Sequence, residues 1–229
     1  MRIAFTGKGG SGKTTVCSLF ARRAAQKGRR VLALDADINQ HLAAALGIGA
    51  ELPGMGSGLG DIAMHLRGDN PRFDAAAMHK TTPPGSGSRF VTLRPDDWFI
   101  ERYTRSAEGL MVAGAGDIPA ENIGVKCYHG LNGAVELVLG HMLDREDEYV
   151  LVDMTAGADA FSSSIFTKVD AIVLVVEATQ KSLSVYHQFG EHLASYEIPL
   201  IVVANKVEDD EDITFIKETV GTVSALFGL

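Results

Sequence analysis

Residues 1–16 read MRIAFTGKGGSGKTTV: an apolar run from Arg2 to Thr6, a loop with glycines at 7, 9, 10 and 12, and then the start of a helical pattern. The loop Gly7-Lys8-Gly9-Gly10-Ser11-Gly12-Lys13-Thr14 satisfies G-x-x-x-x-G-K-[ST] at each fixed position, in the strand-to-helix context that the motif requires. The rest of the chain repeats the strand-then-helix rhythm. RIAFT (2–6), RVLALD (30–35), LMVAG (110–114), YVLVD (149–153), AIVLVV (171–176) and LIVVAN (200–205) are near-continuous apolar runs, the pattern of parallel strands covered on both faces. Between them the spacing predicts helices over about 14–27, 39–46, 131–143, 182–194 and 211–220, with Gly28 and Gly47 placed as helix-ending residues. The expected fold is α/β: a doubly wound, mostly parallel sheet with helices on both faces.

Residues 48–108 interrupt that rhythm with GMGSGLGD, GDNPRFD and TTPPGSGS, and show only short helical pieces such as 59–67. A long aperiodic stretch inside a compact domain marks a functional insertion or mobile loops. No repeat or linker divides the chain, so residues 1–229 are expected to form one domain carrying this insertion. The segment after 220, ending ALFGL, looks short for a closing strand. A hydrophobic content of 46% is ordinary for a globular protein, and no window offers the roughly 18–20 uncharged apolar residues of a membrane span. The start is a strand entering a motif, not a signal peptide, so a cytoplasmic protein is expected. A net charge of −8 argues against general nucleic acid binding. Two acidic runs, 145–148 and 208–212, read as a solvated loop and an acidic first helical turn.

The glycines allow successive backbone N–H groups to turn inward as an anion nest, to which the helix from Lys13 adds its positive end. Gly9, Gly10, Ser11, Gly12, Lys13, Thr14 and Thr15 are therefore expected to bind the phosphates of ATP or ADP. Lys13 would reach the β- and γ-phosphates and the Thr14 hydroxyl would ligate Mg²⁺. Asp153 ends an apolar strand at the same sheet edge and is the second Mg²⁺ candidate; Asp35 would support the ion through a bound water. Asp37 is the candidate for positioning the attacking water. The competing reading is that Asp35 and Asp37 only cap the following helix. Lys8 has no evident partner in its own chain, and a cation supplied across a two-fold interface would act as an arginine finger does in trans.

KGGSGKTT resembles the deviant Walker A signature of the MinD/ParA/nitrogenase-iron-protein class of dimeric ATPases. That resemblance implies that Lys8 crosses to the partner's nucleotide, so that ATP binding and homodimer closure become one event. DADINQHL (35–42), LDREDEYVLVDMTAG (143–157), VDAIVLVVEAT (169–179) and ANKVEDDEDITFIKE (204–218) are similar to the CooC-type ATPases, nickel-insertion accessory proteins of carbon monoxide dehydrogenase. The resemblance makes Asn205 and Lys206 adenine-contacting residues, with a turn-capping Asn as the alternative. At 126–132 the sequence departs from it. The family carries Cys-x-Cys there, placed at the dimer interface to bind one metal, whereas this chain offers Cys127 and His129. Doubled by a two-fold axis, they would form a Cys₂His₂ set suited to Zn²⁺ or Ni²⁺; alternatively Cys127 is packing and the site is lost. Thr155 stands where the family usually has Glu. The segment after Asp153 lacks the cysteine of a cluster-binding electron donor.

These residues lead to the expectation of a Mg-ATP-dependent dimerising ATPase acting as a metallochaperone or cofactor-maturation factor for a client metalloenzyme. The alternatives are a ParA/MinD-like spatial switch on DNA or membrane, and a synthetase that phosphorylates a carboxylate.

Overall fold

The computed structural model describes residues 1–49, 51–74, 77–116, 128–193, 195–221 and 225–228. Strands β1 (Arg2–Gly7), β2 (Arg30–Ala36), β3 (Arg105–Ala107), β4 (Leu110–Gly114), β5 (Glu148–Met154), β6 (Ala171–Val176), β7 (Leu200–Val207) and β8 (Ala225–Gly228) form one sheet in the order β3-β4-β2-β5-β1-β6-β7-β8. Every pairing is parallel except that of β3 with β4. The reversal of strand order around β1 opens a crevice at the carboxyl ends of β1, β2 and β5, where doubly wound sheets bind ligands.

Alternate strand residues feed two cores, one on each face. Ala4, Leu32, Leu34, Val150 and Val152 join one cluster; Ile3, Phe5, Val31, Ala33 and Leu151 join the other. Because both faces are buried, the strands read as continuous apolar runs. Helices α1 (Lys13–Gln26) and α2 (Leu42–Ala45) cover the second cluster, to which α1 contributes Val16, Cys17, Ala21 and Ala24. Cys17 is a fully buried core residue. Both helices stop at the predicted glycines. Gly28 (φ +74°) and Gly47 (φ +72°) take the left-handed conformation, and the next amides reach back to Ala24 O (3.1 Å) and Ala43 O (2.9 Å).

The other face carries α3 (Leu59–Arg67), α4 (Trp98–Tyr103), α5 (Tyr128–Gly140), α6 (Gln180–Leu193) and α7 (Asp210–Val220). The aperiodic stretch from 48 to 108 packs on the domain rather than looping free: Ile48 joins the second cluster, while Met55, Ile62, Leu66, Val91, Leu93 and Phe99 are buried in the first. Single bridges between Gly54 and Gly114 and between Val91 and Met142 seat it on the sheet and on the segment that follows α5.

Two expectations need correction. Residues 225–228 do form a strand, β8, parallel to β7, so the terminal segment has room to close the sheet. In the first acidic run, Glu148 is not solvated: it is buried as the first residue of β5, paired with Arg30 at 3.1 Å and accepting from Arg145 N. The second run behaves as read, with Asp209 capping α7 by accepting from Asp212 N at 2.9 Å.

Candidate functional site

The loop between β1 and α1 is held open by its glycines. Gly7 (φ +157°) has no room for a side chain, since a Cβ there would lie 2.4 Å from Val175 O. Gly12 (φ +92°) is left-handed, and a Cβ on it would stand 2.2 Å from Asn205 Nδ2. A single turn, Ser11 N to Lys8 O at 3.0 Å, curls the loop over the start of α1. The result is a cleft of about 540 Å³ lined by Gly9, Gly10, Gly12, Lys13, Thr14, Asp37 and Asn39, among others.

Two carboxylates meet Lys13 and Thr14 beneath that loop, and a third, Asp35, lies beside Asp153 on the neighbouring strand. Lys13 Nζ forms an ion pair with Asp37. Thr14 Oγ1 donates to Asp153 Oδ2 at 2.5 Å, while Asp153 Oδ1 is buried and accepts from no described group. Asp35 lies opposite Asp153 in the β2–β5 register and is fully buried. Burial, and then the neighbouring Asp153, raise the Asp35 carboxyl to about 7. Burial likewise lifts Asp153 to about 6 against the opposing pull of Lys13 and Thr14. Burial also acts on Asp37, but hydrogen bonds from Lys13 and Asn39 outweigh it and hold this carboxyl below its usual range. Asp35 also does the work of a cap: its oxygens accept from Leu42 N (2.8 Å) and Asp37 N (3.2 Å), fixing the turn into α2.

A match to the family described as the CobQ/CobB/MinD/ParA nucleotide binding domain runs from residue 3 to residue 227. The chain belongs to this family. It is 33% identical over 219 residues to the carbon monoxide dehydrogenase accessory protein CooC of Rhodospirillum rubrum, covering 94% of this chain and 78% of that protein. To an uncharacterized ATP-binding protein of Methanocaldococcus jannaschii it is 28% identical over 213 residues, 92% of this chain and 77% of that one. Among solved structures, the septum site-determining protein MinD of Pyrococcus horikoshii, complexed with Mg-ADP, aligns at TM-score 0.64 and 17% identity over 99% of this chain and 80% of that one. A ParA family ATPase of Chlorobium tepidum aligns at TM-score 0.63 and 16% identity, covering 100% and 83%. These two likenesses establish the doubly wound P-loop fold.

Lys8 does have a partner in its own chain, contrary to expectation: its Nζ lies 3.0 Å from Glu177 Oε1. Parallel strands deliver the residues after β1 and β6 to the same rim, which the sequence alone could not register. Asn205 Nδ2 donates to Ser11 O at 2.8 Å, and Lys206 Nζ donates to Gly10 O at 2.6 Å, so both brace the loop from behind. Cys127 lies outside the described residues, and of His129 only the backbone, in the first turn of α5, is described. Among the described residues no group of three or more His, Cys, Asp or Glu side chains could hold a metal ion. No helix among the described residues is long and apolar enough to cross a membrane.

Sequence reasoning missed His41, Thr155, Ala156 and Asp159 as cleft-lining residues, and Glu177 as the acceptor of Lys8. The signal for Thr155 and Ala156 was their place directly after the apolar run that ends in Asp153. Glu177 follows an apolar strand in the same way.

Proposed function

We propose that the chain is a Mg-ATP-dependent dimerising ATPase that serves as a metallochaperone or cofactor-maturation factor. The observation that carries this reading is the pairing of Lys13 with Asp37 and of Thr14 with Asp153 at a cleft beneath the glycine-rich loop. Lys13 would exchange Asp37 for the terminal phosphate oxygens of ATP. The Asp37 carboxylate, still oriented by Asn39, would then accept a hydrogen bond from the attacking water and align it. Water and ATP give ADP and phosphate.

The residues fit Mg²⁺. Asp153 Oδ1 is an orphaned buried acceptor, Thr14 Oγ1 shares its carboxylate, and the donor set is all oxygen, as a hard cation demands. Thr14 and Asp153 would hold the ion, with Asp35 behind them. The bound ion would neutralise charge developing on the β- and γ-phosphates. Lys8 would leave its own rim to reach the partner's nucleotide in a homodimer. The similarity to the CooC protein supports a client metalloenzyme, and Cys127 with His129 of two subunits would form a Zn²⁺ or Ni²⁺ site. A cytoplasmic location fits that role.

The test combines assembly with metal analysis. Light scattering with Mg²⁺ and a slowly hydrolysed ATP analogue should show a dimer that Lys8→Ala fails to form. After dialysis against equal Ni²⁺ and Zn²⁺, the wild-type dimer should hold about one metal, lost in Cys127→Ala and in His129→Ala. A stable monomer under those conditions would overturn the dimer reading. A dimer without stoichiometric metal would overturn the metallochaperone assignment and favour the spatial-switch alternative.

A further inference from the structure

Glu177 stands immediately after β6, between the phosphate loop and the end of β7. Its Oε1 holds Lys8 at 3.0 Å and its Oε2 holds Lys206 at 3.4 Å, while its backbone N–H donates to Ser182 Oγ at 3.0 Å in the first turn of α6. Its side chain is only 14% exposed, and Lys8 is one-third exposed, so the pair is partly shielded from water. Lys206 has a second obligation. It sits at a bulge in β7 with φ +57°, a conformation that a lysine rarely adopts, and donates to Gly10 O. One carboxylate therefore joins the first lysine of the loop to the cation that braces the loop from behind.

We propose that Glu177 is a positioning residue: it is the resting acceptor of the Lys8 ammonium and sets how readily the subunits close on nucleotide. The inference rests on the reading of Lys8 as the cation that crosses the dimer interface. Lys8 cannot stay 3.0 Å from its own Glu177 and also reach the partner's phosphates. Closure must break this pair, and the apparent dimer affinity falls by the fraction of chains in which Lys8 is held. Lys206 stays beside Glu177 and Gly10 throughout, so the carboxylate is not left unpaired when Lys8 departs. A triphosphate competes for Lys8 through more negative charge than a diphosphate offers. The Glu177 contact thus weakens closure by the same factor for either nucleotide, and the diphosphate, with the smaller attraction to begin with, is the one left short of a stable dimer.

The experiment measures the dimer dissociation constant by analytical ultracentrifugation at saturating Mg²⁺ and β,γ-imido ATP. It compares wild type, Glu177→Gln, Glu177→Asp, Lys206→Met and Lys8→Ala, each first shown by thermal melting to be folded. Glu177→Gln is expected to dimerise about fivefold more tightly or better, and to dimerise measurably with ADP, while Glu177→Asp stays near wild type. Lys206→Met is expected to weaken nucleotide binding by the monomer without reproducing the tighter dimer, which separates release of Lys8 from loss of the loop brace. An unchanged or weaker Glu177→Gln dimer, with Lys8→Ala still monomeric, overturns the Glu177 assignment and leaves the trans-lysine reading intact. A Lys8→Ala chain that dimerises as wild type does overturns both.

Discussion

Lys13 and Asp37 neutralise each other within the cleft, so substitutions at the two positions should act in opposite ways on nucleotide. Lys13→Ala removes the phosphate cation and leaves the negative charge of Asp37 facing the triphosphate. Nucleotide affinity should fall roughly 100-fold or more, measured by titration calorimetry. Asp37→Asn keeps the shape and relieves that repulsion, so binding should persist or tighten. Turnover should nonetheless fall by about 100-fold, because an amide cannot align water as an anion does. Undiminished phosphate release in Asp37→Asn would remove this residue from the mechanism. At this scale the sequence was legible wherever the spacing was local: Gly7 through Thr14 announce themselves as a motif, and Asp35, Asp37 and Asp153 each end an apolar run. Glu177 was not legible as the partner of Lys8, because the two lie 169 positions apart in the chain and meet only through sheet order.

The loop between β1 and α1 is the element on which the cleft depends, and Gly12 is its tightest point. An alanine there must adopt φ +92° and place its Cβ 2.2 Å from the amide of Asn205, which itself holds Ser11 O. Relief requires either the loop or Asn205 to move. Gly12→Ala should therefore cost about 1–3 kcal/mol in stability and abolish high-affinity nucleotide binding. The double variant Gly12→Ala/Asn205→Ala should recover part of the stability. Chemical denaturation of the two variants checks this, and equal midpoints would mean that the clash is not with Asn205. Elements were legible in the same uneven way. The six apolar strands and the long helices follow from periodicity, because burial on both faces or on one stripe imprints the sequence. The three-residue β3 and the four-residue β8 are too short to show a pattern. The 48–108 stretch buries isolated anchors such as Met55, Leu66 and Leu93 between turns, which carries no period for a reader to find.

Across the whole molecule, the edge opposite the cleft is tied together by Arg2, the first residue of the central strand. Its guanidinium donates to Asp144 through Nε at 2.8 Å and Nη2 at 2.6 Å, to Leu139 O at 2.9 Å and to Met142 O at 2.7 Å. One side chain thereby joins β1 to the end of α5 and to the turn that enters β5. Burial alone would raise the Asp144 carboxyl, but the Arg2 hydrogen bonds and nearby positive charge outweigh it and hold the group below its ordinary value. A depressed carboxyl binds its proton less readily in the folded chain than in the unfolded one. The associated stability is therefore present above the ordinary carboxylate value near 3.8 and is lost as pH falls through the lower folded value. Asp144→Asn should consequently be less stable than wild type by about 1–2 kcal/mol at pH 7. The deficit should shrink steadily below about pH 4 as the wild-type carboxyl takes up its proton. Urea midpoints measured from pH 3 to pH 7 test this. A deficit that stays constant across the range would mean that Asp144 contributes through shape and packing, and that the charge of the Arg2 pair does not stabilise the fold.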